Sequence, residues 1–166
     1  MFAPQSSPQQ VVQQRLQVMK IVTIALMAAT FLYGIVLFAI KQPTINTQLF
    51  IESLHNPANL ILFFAGAAVL LLRVILTNKL LTTSLHNPSV QDFRTAMPAY
   101  FVFIILRMAL AESAAMFGFV LTLTTGEFSY YLILAAAALV SMIKDFPSEE
   151  RAKELLKSVR PELNLY

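Results

Sequence analysis

The twenty residues IVTIALMAATFLYGIVLFAI, from Ile21 to Ile40, contain no charged side chain and lie between Lys20 and Lys41. The hydrocarbon core of a bilayer is about 30 Å thick, and a helix of about 20 apolar residues crosses it. This stretch therefore predicts a membrane-spanning helix. Its apolar run exceeds the ~7–15 apolar residues of a signal peptide, so we expect it to remain as an anchor.

Three further apolar stretches follow, which gives expected spans at about residues 21–40, 60–78, 96–125 and 128–143. The fourth is short, and Lys144 can extend it by reaching toward the headgroups. In lipid the backbone must satisfy its own hydrogen bonds, and the alternation typical of strands is missing, so the spans predict helices. The expected fold is all-α: a polytopic membrane protein with four transmembrane helices as two helical hairpins, plus a C-terminal amphipathic surface helix.

The composition excludes a water-soluble globule. Of 166 residues, 57% are apolar and 13% charged, and the mean hydropathy is +0.67. Soluble domains are about 45–50% apolar and about 25% charged. The chain has no cysteine, which excludes disulfides, thiolate metal sites and cysteine nucleophiles. The basic residues behind the net charge of +3 flank the apolar blocks, so they indicate topology, and we expect no nucleic-acid partner.

The distribution of Lys and Arg predicts the orientation in the membrane. The N-terminal side, the second connection and the C-terminal tail are basic, whereas the first connection holds only Lys41 and the third holds none. Because basic loops stay on the cytoplasmic side, we expect a multi-pass protein of an inner or plasma membrane with both termini in the cytoplasm. We expect a disordered polar segment at 1–14, a transmembrane domain at 15–145 and a cytoplasmic amphipathic tail at 146–166.

The pentapeptide Ser-Leu-His-Asn-Pro occurs twice, at Ser53–Pro57 and Ser84–Pro88. Asn is a good N-cap, and Pro suits the first position of a helix. The repeat therefore predicts that a helix begins at each copy.

Small side chains predict close helix packing. In membranes, small residues four apart let helix backbones approach one another. The third span carries such a set, and the first and second spans each carry a glycine. The predicted packing residues are Ala111, Ala114, Ala115, Gly118, Gly34 and Gly66. The expected partners are the lipid bilayer and either further copies of the chain or other membrane subunits.

Glu112 and Arg107 are the residues most in need of explanation. Glu112 lies near the middle of the third span, where a charged side chain costs about 2.5–3.5 kcal/mol on insertion scales. The two residues are separated by about 140° around the helix. Arg107 could still reach Glu112, each could pair across a helix interface, or Glu112 could be neutral. With the adjacent Ser113, they predict a polar centre that is either structural or ion-handling.

The run from Arg107 to Leu121, RMALAESAAMFGFVL, resembles the carboxylate helix of rotary ATPase proteolipids, with Ala109, Glu112 and Gly118 among its anchors. The resemblance covers about fifteen residues and implies that Glu112 is the ion-carrying carboxylate of a ring. The chain departs from that family in three ways. Its acidic residue lies on the first helix of a hairpin rather than the second, and no Gly-x-Gly-x-Gly helix is present. Arg107 lies in the same helix as the carboxylate, whereas in that family the arginine comes from a separate stator subunit.

Motifs of common enzymes are missing from the sequence, including a phosphate-binding glycine loop, a Ser-His-Asp set and paired metal-ligand spacings. We therefore expect no enzymatic activity, no cofactor and no metal. The first hypothesis is a small integral membrane subunit of an oligomeric assembly with a buried Glu112/Arg107 polar centre. One alternative is a proton- or cation-translocating, proteolipid-like channel or ring component that uses Glu112. A second alternative is a membrane protein that binds a lipid or small ligand.

Overall fold

A computed structural model describes residues 8–41 and 45–163, which fold into six α-helices. The helices are α1 (Pro8–Lys41), α2 (Thr47–Leu54), α3 (Pro57–Leu85), α4 (Phe93–Thr125), α5 (Ser129–Lys144) and α6 (Glu149–Val159). This architecture confirms the all-α class predicted from the sequence.

Three of the helices, α1, α3 and α4, are long and apolar enough to cross a membrane. Helix α5 has 16 residues, which rise about 24 Å and fall short of a core about 30 Å thick. It joins α6 through a bend of 86°, and the two together would count as a fourth candidate span. The chain therefore has three to four helices that are apolar enough to span a membrane, and a separate span for α5 alone stays a prediction.

Helix α4 is the centre of the bundle and packs against α1, α3 and α5. Gly126 ends it with a φ of 79°, a left-handed conformation that glycine adopts without a Cβ clash, so the chain turns tightly into α5. We call the end of the bundle that contains Gly126 the hairpin end. The opposite end, where α3 ends at Leu85, α4 begins at Phe93 and α6 lies, is the tail end.

The pairing of α1 differs from the predicted first hairpin. Helix α1 makes its main contacts with α4 and further contacts with α5, rather than with α3. Two tyrosine hydroxyls explain this choice, because Tyr131 of α5 donates to the Thr30 carbonyl and Tyr33 of α1 donates to Glu112 of α4. These bonds hold α1 on the face formed by α4 and α5.

The helices at the tail end extend beyond the predicted spans. Helix α1 begins at Pro8, so residues 8–14 are helical and differ from the expected disorder; residues 1–7 of that prediction lie outside the described residues. Val12 and Leu16, one helical turn apart, are buried in the same core cluster as Leu81, Leu85 and Met97. The buried apolar cluster at this end therefore stabilises the first turns of α1, whose polar composition alone did not predict a helix.

The two copies of the repeated pentapeptide behave differently. At the first, the Asn56 side chain accepts from the Ala58 N–H at 3.0 Å and Pro57 begins α3, as predicted. At the second, the prediction is wrong, because Asp92 caps α4 instead of Asn87. In both copies the histidine Nδ1 lies near the carbonyl oxygen four residues earlier, 3.0 Å at His55 and 2.8 Å at His86. The repeat therefore ends the preceding helix in both places.

The Asp92 cap gives a first testable prediction. Asp92 accepts from the Thr95 N–H at 2.8 Å and the Thr95 hydroxyl at 2.7 Å, and these bonds lower the pKa of its carboxyl below the ordinary value of 3.8. We expect Asp92→Ala to lower the free energy of unfolding by about 1 kcal/mol at neutral pH. A lowered folded-state pKa makes this contribution complete above the unfolded value, and it is lost as the pH falls below that value.

Thermal unfolding at a series of pH values measures this effect. Asp92→Asn is the matched control, because it keeps an acceptor oxygen and has no titrating group. An Asp92→Ala variant as stable as the wild type at pH 7 would show that the cap contributes nothing.

Candidate functional site

Glu112 lies on the outer edge of α4 and contacts α1. The Tyr33 hydroxyl donates to its Oε1 at 2.8 Å. The Glu112 side chain is half-buried, and Ala109 and Met116, on the same helix face, are exposed. Within the part of the chain that the structure describes, Tyr33 supplies the hydrogen bond to this carboxylate. The carboxylate therefore lies at the outer surface of the bundle, where Tyr33 is its hydrogen-bond partner among the described residues.

Arg107 does not join Glu112, so the single polar centre predicted from the sequence is divided in two. Its Nε lies 3.1 Å from Oδ2 of Asp145, in the loop between α5 and α6. Its guanidinium also lies over the Phe103 ring, 5.0 Å from the ring centroid. Residues five apart point in different directions around a helix, and Asp145 offers Arg107 a closer carboxylate.

Arg73 of α3 contacts the same carboxylate, with its Nη2 3.0 Å from Oδ2 of Asp145. Two guanidinium groups thus share one carboxylate oxygen, and we call Arg73, Arg107 and Asp145 the ion cluster. The side chain of Arg73 is 6% exposed, and those of Arg107 and Asp145 are each 15% exposed. One negative charge faces two positive charges, so the ion cluster carries a net positive charge inside the protein.

The hydrogen bonding of the ion cluster is incomplete. Nε and Nη1 of Arg73 are buried without a hydrogen-bond partner among the described residues. Nε of Arg107 and Oδ2 of Asp145 are close enough for an ion pair but are not aligned as a hydrogen bond. Buried donors without acceptors are costly, so the ion cluster leaves guanidinium groups that require a further acceptor.

Residue counts place the ion cluster nearer the tail end than Glu112. Arg107 lies 18 residues before Thr125 and Arg73 lies 16 residues after Pro57, which gives about 27 Å and about 24 Å from the hairpin end. Asp145 directly follows α5, whose length is also about 24 Å. If the hairpin end is taken as one boundary of a core about 30 Å thick, these distances put the ion cluster close to the other boundary.

Glu112 lies closer to the hairpin end than the ion cluster does. It precedes Thr125 by 13 residues, which corresponds to about 20 Å from the hairpin end. A core about 30 Å thick has its centre about 15 Å from either boundary. Leaving a charged group in contact with lipid is therefore more costly at Glu112 than at the ion cluster.

A pocket opens beside the ion cluster at the bend between α5 and α6. Its volume is about 460 Å³. Basic and acidic side chains line it together with an apolar wall. The lining residues are Tyr100, Phe103, Ile104, Arg107, Lys144, Asp145, Arg151, Glu154, Leu155 and Ser158.

The other residues that the sequence singled out make contacts within a helix or between packed helices. The Ser113 hydroxyl donates to the Ala109 carbonyl at 2.9 Å, so its bond lies within its own helix. Ala111, Ala114, Ala115 and Gly118 are buried in α4. A Cβ on Gly34 would lie 3.0 Å from the Tyr131 ring, and one on Gly66 would lie 3.0 Å from Leu134 and from Phe117. These positions allow α1, α3, α4 and α5 to approach closely.

The sequence did not predict three contacts of the site. Tyr33 donates to Glu112, and both Arg73 and Arg107 contact Asp145. The signal for Asp145 was present, since Arg73 and Arg107 fall at similar depths and require a carboxylate there. Asp145 follows the last apolar block at the matching distance. Tyr33 had no such signal, because a tyrosine in an apolar helix needs no charged partner.

Glu127, at the hairpin end, is a further carboxylate and is more buried than Glu112 or Asp145, at 2% exposed. It accepts from the Asn46 N–H at 3.0 Å and from the Ser129 hydroxyl at 2.8 Å. These donors connect the segment before α2 to the start of α5, which is a structural role. Within residues 8–41 and 45–163, no group of three or more His, Asp or Glu side chains could hold a metal ion.

Comparison of the chain with protein-family models, curated proteins and solved structures gave no match.

Proposed function

We propose that the chain is a small integral membrane subunit of an oligomeric assembly, in which a second copy packs over Glu112 on the outer face of α4. The observation that carries the proposal is a carboxylate about 20 Å from the hairpin end, half-buried and hydrogen-bonded to Tyr33. A carboxylate in that position is costly when it faces hydrocarbon. A neighbouring subunit that presents a polar partner to the carboxylate lowers this cost.

The surface around Glu112 fits a helix from a neighbouring subunit. Ala109 is exposed three residues before Glu112, and Ser113 follows it. Small side chains at such a face allow two helix backbones to approach, and polar groups can bond across the contact. The proposed orientation places both termini in the cytoplasm. The tail end then lies at the cytoplasmic boundary of an inner or plasma membrane. The supporting feature is the basic tail end.

The absence of cysteine gives a direct test of this interface, since any introduced cysteine is unique in the chain. We expect Ala109→Cys in native membranes to form an intermolecular disulfide on mild oxidation. Ala137→Cys, at an exposed position of α5, is the matched control and should remain monomeric. Equal cross-linking at both positions, or none at Ala109→Cys, would contradict an interface at Glu112.

Substitution of Glu112 itself gives a second prediction. Glu112→Gln keeps an acceptor for Tyr33, whereas Glu112→Ala removes it. We expect Glu112→Ala to weaken self-association about tenfold, the effect of about 1.4 kcal/mol, with Glu112→Gln close to wild type. Association is measured by dilution in mild detergent with size-exclusion chromatography. An Ala variant that associates like the wild type would contradict the proposal.

A second candidate function is proton or cation translocation. The Tyr33–Glu112 hydrogen bond favours it, because it holds a carboxyl group within an apolar helix bundle, and such groups mark proton and ion pathways in membrane proteins. Ion flux in proteoliposomes distinguishes the two functions. Loss of flux in a Glu112→Gln variant that still assembles would support translocation, and a wild type without flux would contradict it.

A further inference from the structure

We infer that the pocket at the bend between α5 and α6 binds a phosphate-bearing anion, with Arg107 and Lys144 as its main charged contacts. The pocket has a volume of about 460 Å³, which is within the range of small-ligand sites. It is formed by different residues from the proposed subunit interface at Glu112. The inference therefore stands independently of the proposed function.

Charge identifies the class of ligand. Three basic side chains line the pocket, from Arg107, Lys144 and Arg151, against the two carboxylates of Asp145 and Glu154. The charge of Asp145 is already shared by two guanidinium groups, since Arg73 contacts it from behind the pocket lining. The remaining charge is positive, which favours an anion over a cation.

Unused hydrogen-bond donors point to the same class. The Nε of Arg107 faces Asp145, and no hydrogen bond of its two terminal amino groups is found in the described part of the chain. The Lys144 side chain is exposed at the end of α5. A planar guanidinium with two free amino groups suits bidentate bonding to phosphate oxygens, and an ammonium adds a point charge.

The apolar lining residues and the position of the pocket along the bundle indicate that the ligand also has an apolar part. Phe103, Ile104 and Leu155 lie beside the charged groups. The ion cluster is about 24–27 Å from the hairpin end, close to the boundary of a core about 30 Å thick. Basic pockets between helices at this level accept phospholipid headgroups. A free phosphate has the same charged chemistry without an apolar part.

Purified full-length protein in neutral detergent tests the inference. Phosphatidylglycerol, phosphatidylcholine and inorganic phosphate are added separately, and binding is measured by native mass spectrometry and by the shift in thermal midpoint. We expect phosphatidylglycerol to bind and to raise the midpoint, and phosphatidylcholine to have little effect. Binding of inorganic phosphate alone would support the same site with a soluble ligand as its source.

Four variants connect the binding to this pocket. We expect Arg107→Gln to weaken phosphatidylglycerol binding about tenfold and Lys144→Gln about threefold, as loss of a bidentate and of an exposed contact predicts. Glu154→Gln, which removes an opposing charge, should tighten it. Lys79→Gln is the matched control, because Lys79 is exposed on α3 and outside the pocket.

Arg107 also contacts Asp145, so Arg107→Gln affects folding as well. Lys144 and Glu154 have no side-chain ion pair within the described residues, and their variants keep the test independent of folding. The inference is overturned when neither anion binds the wild type. It is equally overturned when Lys79→Gln weakens binding as much as Lys144→Gln does, because the attraction would then be a general surface effect.

Discussion

Asp145→Ala is expected to lower the free energy of unfolding by about 3–5 kcal/mol. This is the typical cost of removing one partner of a buried ion pair. The substitution removes the carboxylate that Arg73 and Arg107 share at 3.0 and 3.1 Å. Arg73 would then be buried beside another positive charge, with no described acceptor. Helix α3, helix α4 and the end of α5 would lose the contact that joins them at the tail end.

A compensating variant separates charge from packing. Asp145→Ala combined with Arg73→Met and Arg107→Met removes all three charges and keeps long apolar side chains, so most of the lost stability should return. Denaturant titration in mixed micelles measures each variant. An Asp145→Ala protein within about 1 kcal/mol of the wild type would show that water or lipid already solvates the two guanidinium groups.

The membrane helices could be predicted because each depends on local chemistry. Apolar runs of about 20 residues with few charges predict helices in lipid, and the Asn56–Pro57 pair specified the start of α3. The second pentapeptide failed because its context differs. Ser89 to Asp92 lie between it and α4, and Asp92 with Thr95 forms a better cap.

The candidate site was less predictable because it depends on which helices touch. Arg107 and Glu112 are close in sequence, which favoured one centre, but their partners come from other parts of the chain, Asp145 from the loop after α5 and Tyr33 from α1. Depth in the membrane can be counted from the sequence and could have paired Arg107 with Asp145. The rotation of each helix about its axis cannot be counted in this way, and rotation brings Tyr33 to Glu112.

Gly118→Ala is expected to lower the free energy of unfolding by about 2 kcal/mol, within the range for overpacking a close contact. A Cβ at this position would lie 2.9 Å from the Tyr130 carbonyl oxygen and 3.0 Å from the Tyr131 Cα. Both are backbone atoms, so α5 must move as a whole. The gain of about 1 kcal/mol in helix propensity from Gly to Ala does not offset this displacement.

Gly66→Ala is the matched control for this effect. Its Cβ would lie 3.0 Å from Leu134 Cδ1, the end of a flexible side chain, and 3.0 Å from Phe117 Cβ. The same gain in helix propensity applies there, and one of the two close atoms is a flexible side-chain end, so we expect Gly66→Ala to lose less stability than Gly118→Ala. Displacement of α5 would also move Asp145 relative to Arg107, so Gly118→Ala should weaken phosphatidylglycerol binding, whereas Gly66→Ala should not. Equal stability of the two variants would mean that α4 and α5 adjust without separating.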